Sequence, residues 1–438
     1  MRGKKYLWTL AAVYMAYLTH GIQAIVLSQN AVNFYTQWGF TDATAGAAAV
    51  YQIIAYTGLA KFLSVWICGE LSDKIGRKLM IAIGAVMYVG FFAGLLTTTS
   101  YTVAAICGFM AGLATSFFDG ACYPAVQESW VKSPSSAVIL IKGVISISGF
   151  VYPLMLVSLK ASGAWQTGII IPIVMSVLIF VLAVIAPYSY DKELKAKREK
   201  KKAELAAGTY VKETKEEKLD EDAKRAAARF IKKPPVGVTV GCAIFGFITM
   251  ATMFSAQQLL TRYGLTVVGM DELASASLTS LYTFGSLAAV LIWAFLMAKL
   301  RWRTLTVLVI DLIGSIVSYA LVCLVQSPVV VQIAAASIGF FAAGGALQCG
   351  VSLIQEFHPG NKGRNLGIYY TFMGLASYAM PQIQSWFTKG VGEGPAIRNS
   401  LLLNLGLAVV GLAFMIYLAM NYKKWFGVAP FSKRAEDE

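Results

Sequence analysis

Residues 69–80 read GELSDKIGRKLM, five charged side chains in a short connection between apolar runs at about 46–69 and 79–98. Such an abrupt change suits a chain that leaves and re-enters a hydrocarbon layer, in which ionised side chains are costly. Composition over the whole chain agrees: of 438 residues, 57% are hydrophobic and 14% charged, against about 25% charged in ordinary soluble domains. A water-soluble enzyme is thereby disfavoured, and the chain reads as an all-α polytopic membrane protein.

Working outward from that stretch, a helix needs about 20 mostly apolar residues to cross a ~30 Å hydrocarbon core. Twelve runs qualify, at about 6–32, 46–69, 79–98, 101–127, 137–159, 165–187, 237–261, 275–298, 304–325, 328–354, 365–388 and 398–420. The amino end, MRGKK before a long apolar run with no small-residue cleavage site, reads as an uncleaved first span. Of the 37 Lys and Arg, 31 fall at the amino end, in every second connection and in the carboxyl tail; Lys160, Arg262, Lys389 and Arg398 lie on the other side, and Lys61 and Lys142 lie inside spans. The positive-inside rule then places both termini in the cytoplasm. The net charge of +14 is thus topogenic, and no nucleic-acid partner is expected. All six cysteines lie in or at the ends of apolar stretches, as small hydrophobes rather than a disulfide framework. No metal-ligand spacing occurs, and neither a cofactor nor a metal is expected.

One connection stands apart. Residues 188–236 hold 15 basic and 10 acidic side chains and few aromatics, too polar to bury a core. The chain divides into a six-helix half at 1–187, this charged cytoplasmic linker at 188–236, a second six-helix half at 237–420 and a tail at 421–438. The stretch DKELKAKREKKKAELAA suits a surface helix on anionic lipid headgroups, although a solvated linker is the simpler reading. An offset of 228 residues superposes Gln29 on Gln257, Tyr35 on Tyr263, Gln127 on Gln355, Glu128 on Glu356 and Pro153 on Pro381. That single register across three helices points to a duplicated unit.

GELSDKIGRKLM resembles the signature segment of the major facilitator superfamily (GxLaDrxGrkxxl), with Gly69, Leu71, Asp73, Gly76, Arg77 and Lys78 in place. Together with the span number and central linker, the resemblance covers essentially the whole chain. It implies a secondary transporter working by alternating access, commonly as a monomer, with Gly69, Asp73, Gly76, Arg77, Lys78 and Glu128 as a conformational latch. In the latch, Arg77 would reach the Glu128 carboxylate and Asp73 would accept from neighbouring helix ends. The second-half counterpart, MAKLRWRTL at 297–305, keeps the basic residues but lacks the acidic and glycine positions. The GPxxGG-like element of drug/proton antiporters is absent from span 5, GVISISGFVYP at 143–153.

Ionisable residues inside spans usually mark a structural pair or a functional site. Lys61, Asp119 and Lys142 lie at similar depth in one half. If Asp119 pairs with one lysine, the other is suited to an anionic ligand; the alternative is a closed structural network. His20, in LTHGIQ of span 1, and Asp119 are candidates for carrying a coupled proton. Asp311 of span 9 is a third, set against pairing with the basic RWR stretch at 301–303. Gln23, Gln29 and Asn30 of span 1 and Gln257 and Gln258 of span 7 lie on helices that, by the resemblance, line the central cavity, where amides orient a polar ligand or simply pack. Tyr123 and Tyr370 suit a ring or apolar body.

The reading is a plasma-membrane transporter, proton-coupled, importing a small organic acid. LTHGIQAIVLSQN and YPAVQESWVKSPSSAVILIK resemble a bacterial group associated with shikimate or quinate use. Its partners are then an anionic small molecule, a proton and membrane lipids. Drug or metabolite efflux by antiport is the alternative within transport, and a membrane sensor using 188–236 as its output is the alternative outside it. No GxxxxGK[ST], HExxH or GxSxG occurs within a span, and His20 and His358 lack partners for hydrolytic chemistry, so no catalytic residue is assigned.

Overall fold

The structure is a computed structural model describing residues 6–129, 134–206, 230–358 and 362–433, so linker residues 207–229 and the tail from 434 lie outside it. The described residues form helices joined by short turns. They are α1 (Leu7–Gln29), α2 (Ala31–Gln37), α3 (Ala43–Ile75), α4 (Arg77–Thr97), α5 (Tyr101–Ser129), α6 (Pro134–Ala161), α7 (Thr167–Ile185) and α8 (Ser189–Ala206). After the linker come α9 (Val236–Tyr263), α10 (Glu272–Lys299), α11 (Thr304–Leu324), α12 (Pro328–Ile338), α13 (Ala346–Phe357), α14 (Lys362–Val391) and α15 (Glu393–Phe426). Wider π turns at Gly264–Val268 and Gly339–Gly344 extend α9 and join α12 to α13.

Among the described residues, eleven of these segments are long and apolar enough to cross a membrane. At the position of the eleventh expected span lies α14, 30 residues or about 45 Å long; it is more polar, burying Ser377, Gln382, Gln384, Ser385 and Thr388. The outward face of α7 shows the reverse, with Ile170, Val174, Val177, Val181 and Val184 exposed at helical spacing, as contact with lipid tails requires.

The signature segment is not the loop that its charges suggest. Helix α3 runs to Ile75 and α4 begins at Arg77, with Gly76 alone between them at φ +104°. The left-handed region is open to glycine without a Cβ penalty, so one residue reverses the chain while both flanking turns stay helical. An i,i+4 pair between Glu70 and Lys74, 3.8 Å apart, supports the last turn of α3.

The chain packs as two compact units, Met1–Thr41 with Tyr56–Thr214, and Asp42–Ala55 with Lys215–Glu438. In the first, α4 lies against α5 and α7, and α1 against α5, α6 and α7. In the second, α9 lies against α14 and α15, and α11 against α15. The apolar core of the second unit gathers Phe245, Trp293, Leu308, Tyr369, Met415 and Tyr422.

Candidate functional site

The polar centre of the first unit depends on close helix approach. A Cβ at Gly112 of α5 would stand 2.1 Å from the Thr57 carbonyl oxygen of α3, and one at Gly120 would stand 2.8 Å from the Cys68 backbone. Small residues let two backbones touch where lipid supplies no hydrophobic drive between helices. The side chains between these contacts are Lys61 and Asp119, with Nζ 2.9 Å from Oδ2 and side-chain exposures of 31% and 18%. Asp119 Oδ1 accepts from the Tyr17 hydroxyl of α1 at 3.0 Å. His20 Nδ1 lies 3.0 Å from the Tyr88 hydroxyl of α4, which lies 3.0 Å from Thr115 Oγ1; both hydroxyls reach Gln23 Oε1 at 3.4 Å. The Tyr17 ring packs at 5.2 Å on Tyr123 and edge-on to His20 at 6.0 Å.

This network unites Lys61, Asp119, His20, Gln23 and Tyr123. Among the described residues it leaves Lys142 without a hydrogen bond or ion pair, although its charge is felt by His20. Asn30 sits at the break between α1 and α2 and ties it to α6, donating to the Tyr152 hydroxyl at 3.1 Å, while Lys160 donates to the Gln29 carbonyl at 2.9 Å. Tyr17, Tyr88 and Thr115 are absent from the sequence reading. Tyr17 lies one turn before His20, so helical spacing alone was the available signal.

In the second unit, Gln258 lines a narrow cleft with Tyr51, Phe254, Ser255, Gln384 and Ser400. Gln384 Oε1 accepts from the Ser400 hydroxyl, and its Nε2 donates to Thr388 Oγ1 at 3.2 Å. Gln257 and Tyr370 are not among the cleft-lining residues; Gln257 is half-buried, and Tyr370 is 38% exposed and edge-on to Tyr369. Arg262 forms a two-pronged pair with Glu393, Nε to Oε1 at 2.8 Å, and Tyr51 donates to the same oxygen at 3.3 Å. Neither Arg262 nor Glu393 stood out in sequence, because their 131-residue separation carries no local pattern.

Of the residues expected to form a latch, Asp73 and Glu128 meet Arg77. Its guanidinium meets Glu128 Oε1 at 3.1 and 3.3 Å, Ser72 Oγ at 2.7 Å and Asp73 Oδ1 at 2.8 Å, with the side chain 5% exposed. Asp73, in the last turn of α3, thus accepts from Arg77 at the start of α4, a neighbouring helix end across the Gly76 reversal. Gly69 has open space where a Cβ would stand, and the side chain of Lys78 is exposed. In the second half, Arg303 reaches Glu356 through an intermediary: it donates to the Tyr422 hydroxyl at 3.3 Å, and Tyr422 donates to Glu356 Oε1.

Asp311 corrects one alternative. It does not pair with the RWR stretch: Arg303 donates to the Ser432 carbonyl at 3.0 Å and to Tyr422, turned toward the carboxyl end. Asp311 is fully buried with no ion pair among the described residues; one oxygen and the Trp293 indole nitrogen flank the point above Gly345 where a Cβ would stand. Among the described residues, no three His, Cys, Asp or Glu side chains gather as a metal site would need.

Residues 9–278 match the family described as the Major Facilitator Superfamily. The chain is 29% identical over 430 residues to the inner membrane transport protein YdiM of Escherichia coli (strain K12), covering 96% of this chain and 95% of that one. It is 29% identical over 422 residues to the uncharacterized MFS-type transporter YfkL of Bacillus subtilis (strain 168), covering 96% and 98%. A crystal structure of the peptide transporter POT superposes with a TM-score of 0.65 over 94% of each chain at 13% identity, a likeness of fold.

Proposed function

Because the chain belongs to the major facilitator superfamily, it is a multi-pass membrane transporter, and we propose that it imports a small organic anion together with a proton across the plasma membrane by alternating access. Both termini lie in the cytoplasm in this reading, and twelve spans form two six-helix halves. Lys142 carries the proposal. Asp119 is engaged by Lys61 at 2.9 Å, so of the two lysines inside spans of the first unit Lys142 is the one with no carboxylate partner among the described residues. A cation held in a low-dielectric setting attracts a ligand carboxylate far more strongly than one in water.

Within the first unit, Gln23, Gln29 and Asn30 are the candidate amides for the ligand and Tyr123 the candidate aromatic wall; within the second, Gln257, Gln258 and Tyr370 are the candidate polar and aromatic contacts, of which Gln258 lines the cleft. His20, hydrogen-bonded to Tyr88 and one turn along α1 from the Tyr17 that donates to Asp119, provides the imidazole candidate for the coupled proton. Asp119 and Asp311 are the carboxyl candidates for the same proton. Gly69, Asp73, Gly76, Arg77, Lys78 and Glu128 form the latch, whose bonds to Arg77 hold one conformation.

Thermal stabilisation of the purified protein by small carboxylates, shikimate, quinate and simple aromatic acids included, tests the reading beside cationic and neutral drugs. A ligand that binds the folded state raises stability by mass action, whatever the coupling ion. A carboxylate hit that Lys142→Gln abolishes and Lys142→Arg retains supports import of an organic anion. Stabilisation by cationic or lipophilic compounds alone overturns it in favour of efflux.

A further inference from the structure

Two residues of the linker touch the signature segment. Asp191, in the first turn of α8, accepts from the Arg77 backbone N–H at 2.6 Å and from the Lys78 N–H at 3.0 Å, one through each carboxylate oxygen. These are two of the N–H groups at the start of α4 that have no acceptor inside the helix, and a carboxylate there also faces the positive end of the helix dipole. Tyr190 donates its hydroxyl to the Asp73 carbonyl at 3.0 Å, and its ring lies 4.1 Å beneath the Arg77 guanidinium. Burial first, and then the Asp73 carboxylate, push the Tyr190 phenol above its ordinary value, so the hydroxyl stays a donor. Gly76 fits this contact in space as well as in conformation, since a Cβ there would stand 2.8 Å from Asp191 Oδ1.

Arg77 is thus held on one side by Glu128 and Asp73 and on the other by the linker's head. At the linker's other described end, Ile231 donates its N–H to the Trp425 carbonyl at 2.8 Å and Phe230 packs on Phe426 at 5.0 Å, so this end is anchored within the second unit. The linker is fastened at both described ends rather than hanging free.

The geometry points to Tyr190 and Asp191 as positioning residues of the latch: the linker head leaves α4 when the latch opens, and a pull on the linker biases the latch in return. This rests on the latch reading of the signature segment. Coupling between two sites is reciprocal, so loosening either one must loosen the other.

Hydrogen exchange of the full chain in lipid nanodiscs reads this without any substrate, and so independently of the transport proposal. Glu128 makes its hydrogen bonds to Arg77, and its direct effect on the linker is repulsion of the Asp191 and Glu193 carboxylates, so loosening of the linker on its neutralisation must pass through Arg77. Glu128→Gln is expected to speed exchange at 188–196 about tenfold, and Asp191→Ala to speed exchange at 77–80 by a similar factor. Asp191→Asn, which keeps an acceptor oxygen, recovers part of the protection. Wild-type exchange at 188–196 in a Glu128→Gln protein whose 69–80 segment has loosened overturns the inference. An unchanged 69–80 segment in that protein overturns the latch reading, and this inference with it. If Asp191→Ala fails to fold, Tyr190→Phe removes only the bond to the Asp73 carbonyl; it must loosen 69–80, and wild-type protection there overturns the coupling.

Discussion

Lys61 and Asp119 form a 2.9 Å pair that stitches α3 to α5, and the pairing decides which lysine of the first unit remains open to a ligand. Removing one partner leaves a charge uncompensated, whereas removing both leaves two neutral groups of nearly the same shape. With side-chain exposures of 31% and 18%, solvent screens the stranded charge, so Lys61→Gln should cost about 1–2 kcal/mol rather than the ~3–5 of a fully buried pair. The double variant Lys61→Gln/Asp119→Asn should recover most of that loss in thermal unfolding of the purified protein. Additive losses in the double variant would mean that the pair does more than neutralise itself.

The pair between Arg262 and Glu393 is drier, with both side chains 12% exposed. Glu393→Gln should therefore destabilise by about 3 kcal/mol. Tyr51→Phe, which removes one 3.3 Å hydrogen bond, should cost about 1 kcal/mol. Comparing melting temperatures orders the two, and an equal loss would show the hydroxyl to be as important as the ion pair.

Arg301 stands at φ +56° in the second-half turn, where the corresponding reversal of the first half uses Gly76. An L side chain held in the left-handed region costs about 1–2 kcal/mol, and part of that returns as unfolded-chain entropy when glycine replaces it. Arg301→Gly should stabilise the protein by about 0.5–1 kcal/mol, read as a raised melting temperature; a lowered one would show that the Arg301 side chain outweighs its backbone strain.

Asp311 is buried, with no ion pair among the described residues and the Trp293 indole as its polar neighbour. Asp311→Asn preserves its shape and removes only its ability to ionise. In proteoliposomes, this variant should keep downhill flux of a substrate carboxylate and lose accumulation driven by a proton gradient. Intact accumulation would remove Asp311 from the coupling path and leave His20 and Asp119.

Much of the architecture was legible because membrane spans are long, apolar and separated by charge. The same regularity misled at 69–80, where five charges suggested a loop and one left-handed glycine let both helices continue. Lys61, Asp119 and Lys142 were legible as unusual charges at matching depths, and Arg77 and Glu128 through the resemblance of the signature segment. Tyr17 and Tyr88 were not, since a tyrosine that completes a hydrogen-bond network reads the same as one that merely packs. Asp191 was least visible of all, one acid among ten in a linker of 25 charges. Only the tertiary fold shows that it faces the start of α4. The proposed bridge from Asp311 to the RWR stretch failed for the complementary reason: proximity along the helix said nothing of Arg303 turning toward Ser432 and Tyr422.

A Cβ at position 76 would crowd the carboxylate at position 191, and the φ of +104° strains any L side chain there whatever the space beside it. The two positions are therefore unequal partners in evolution. A library that varies both should return small residues at 191 only beside glycine at 76, so that the linker can drift while the segment stays fixed.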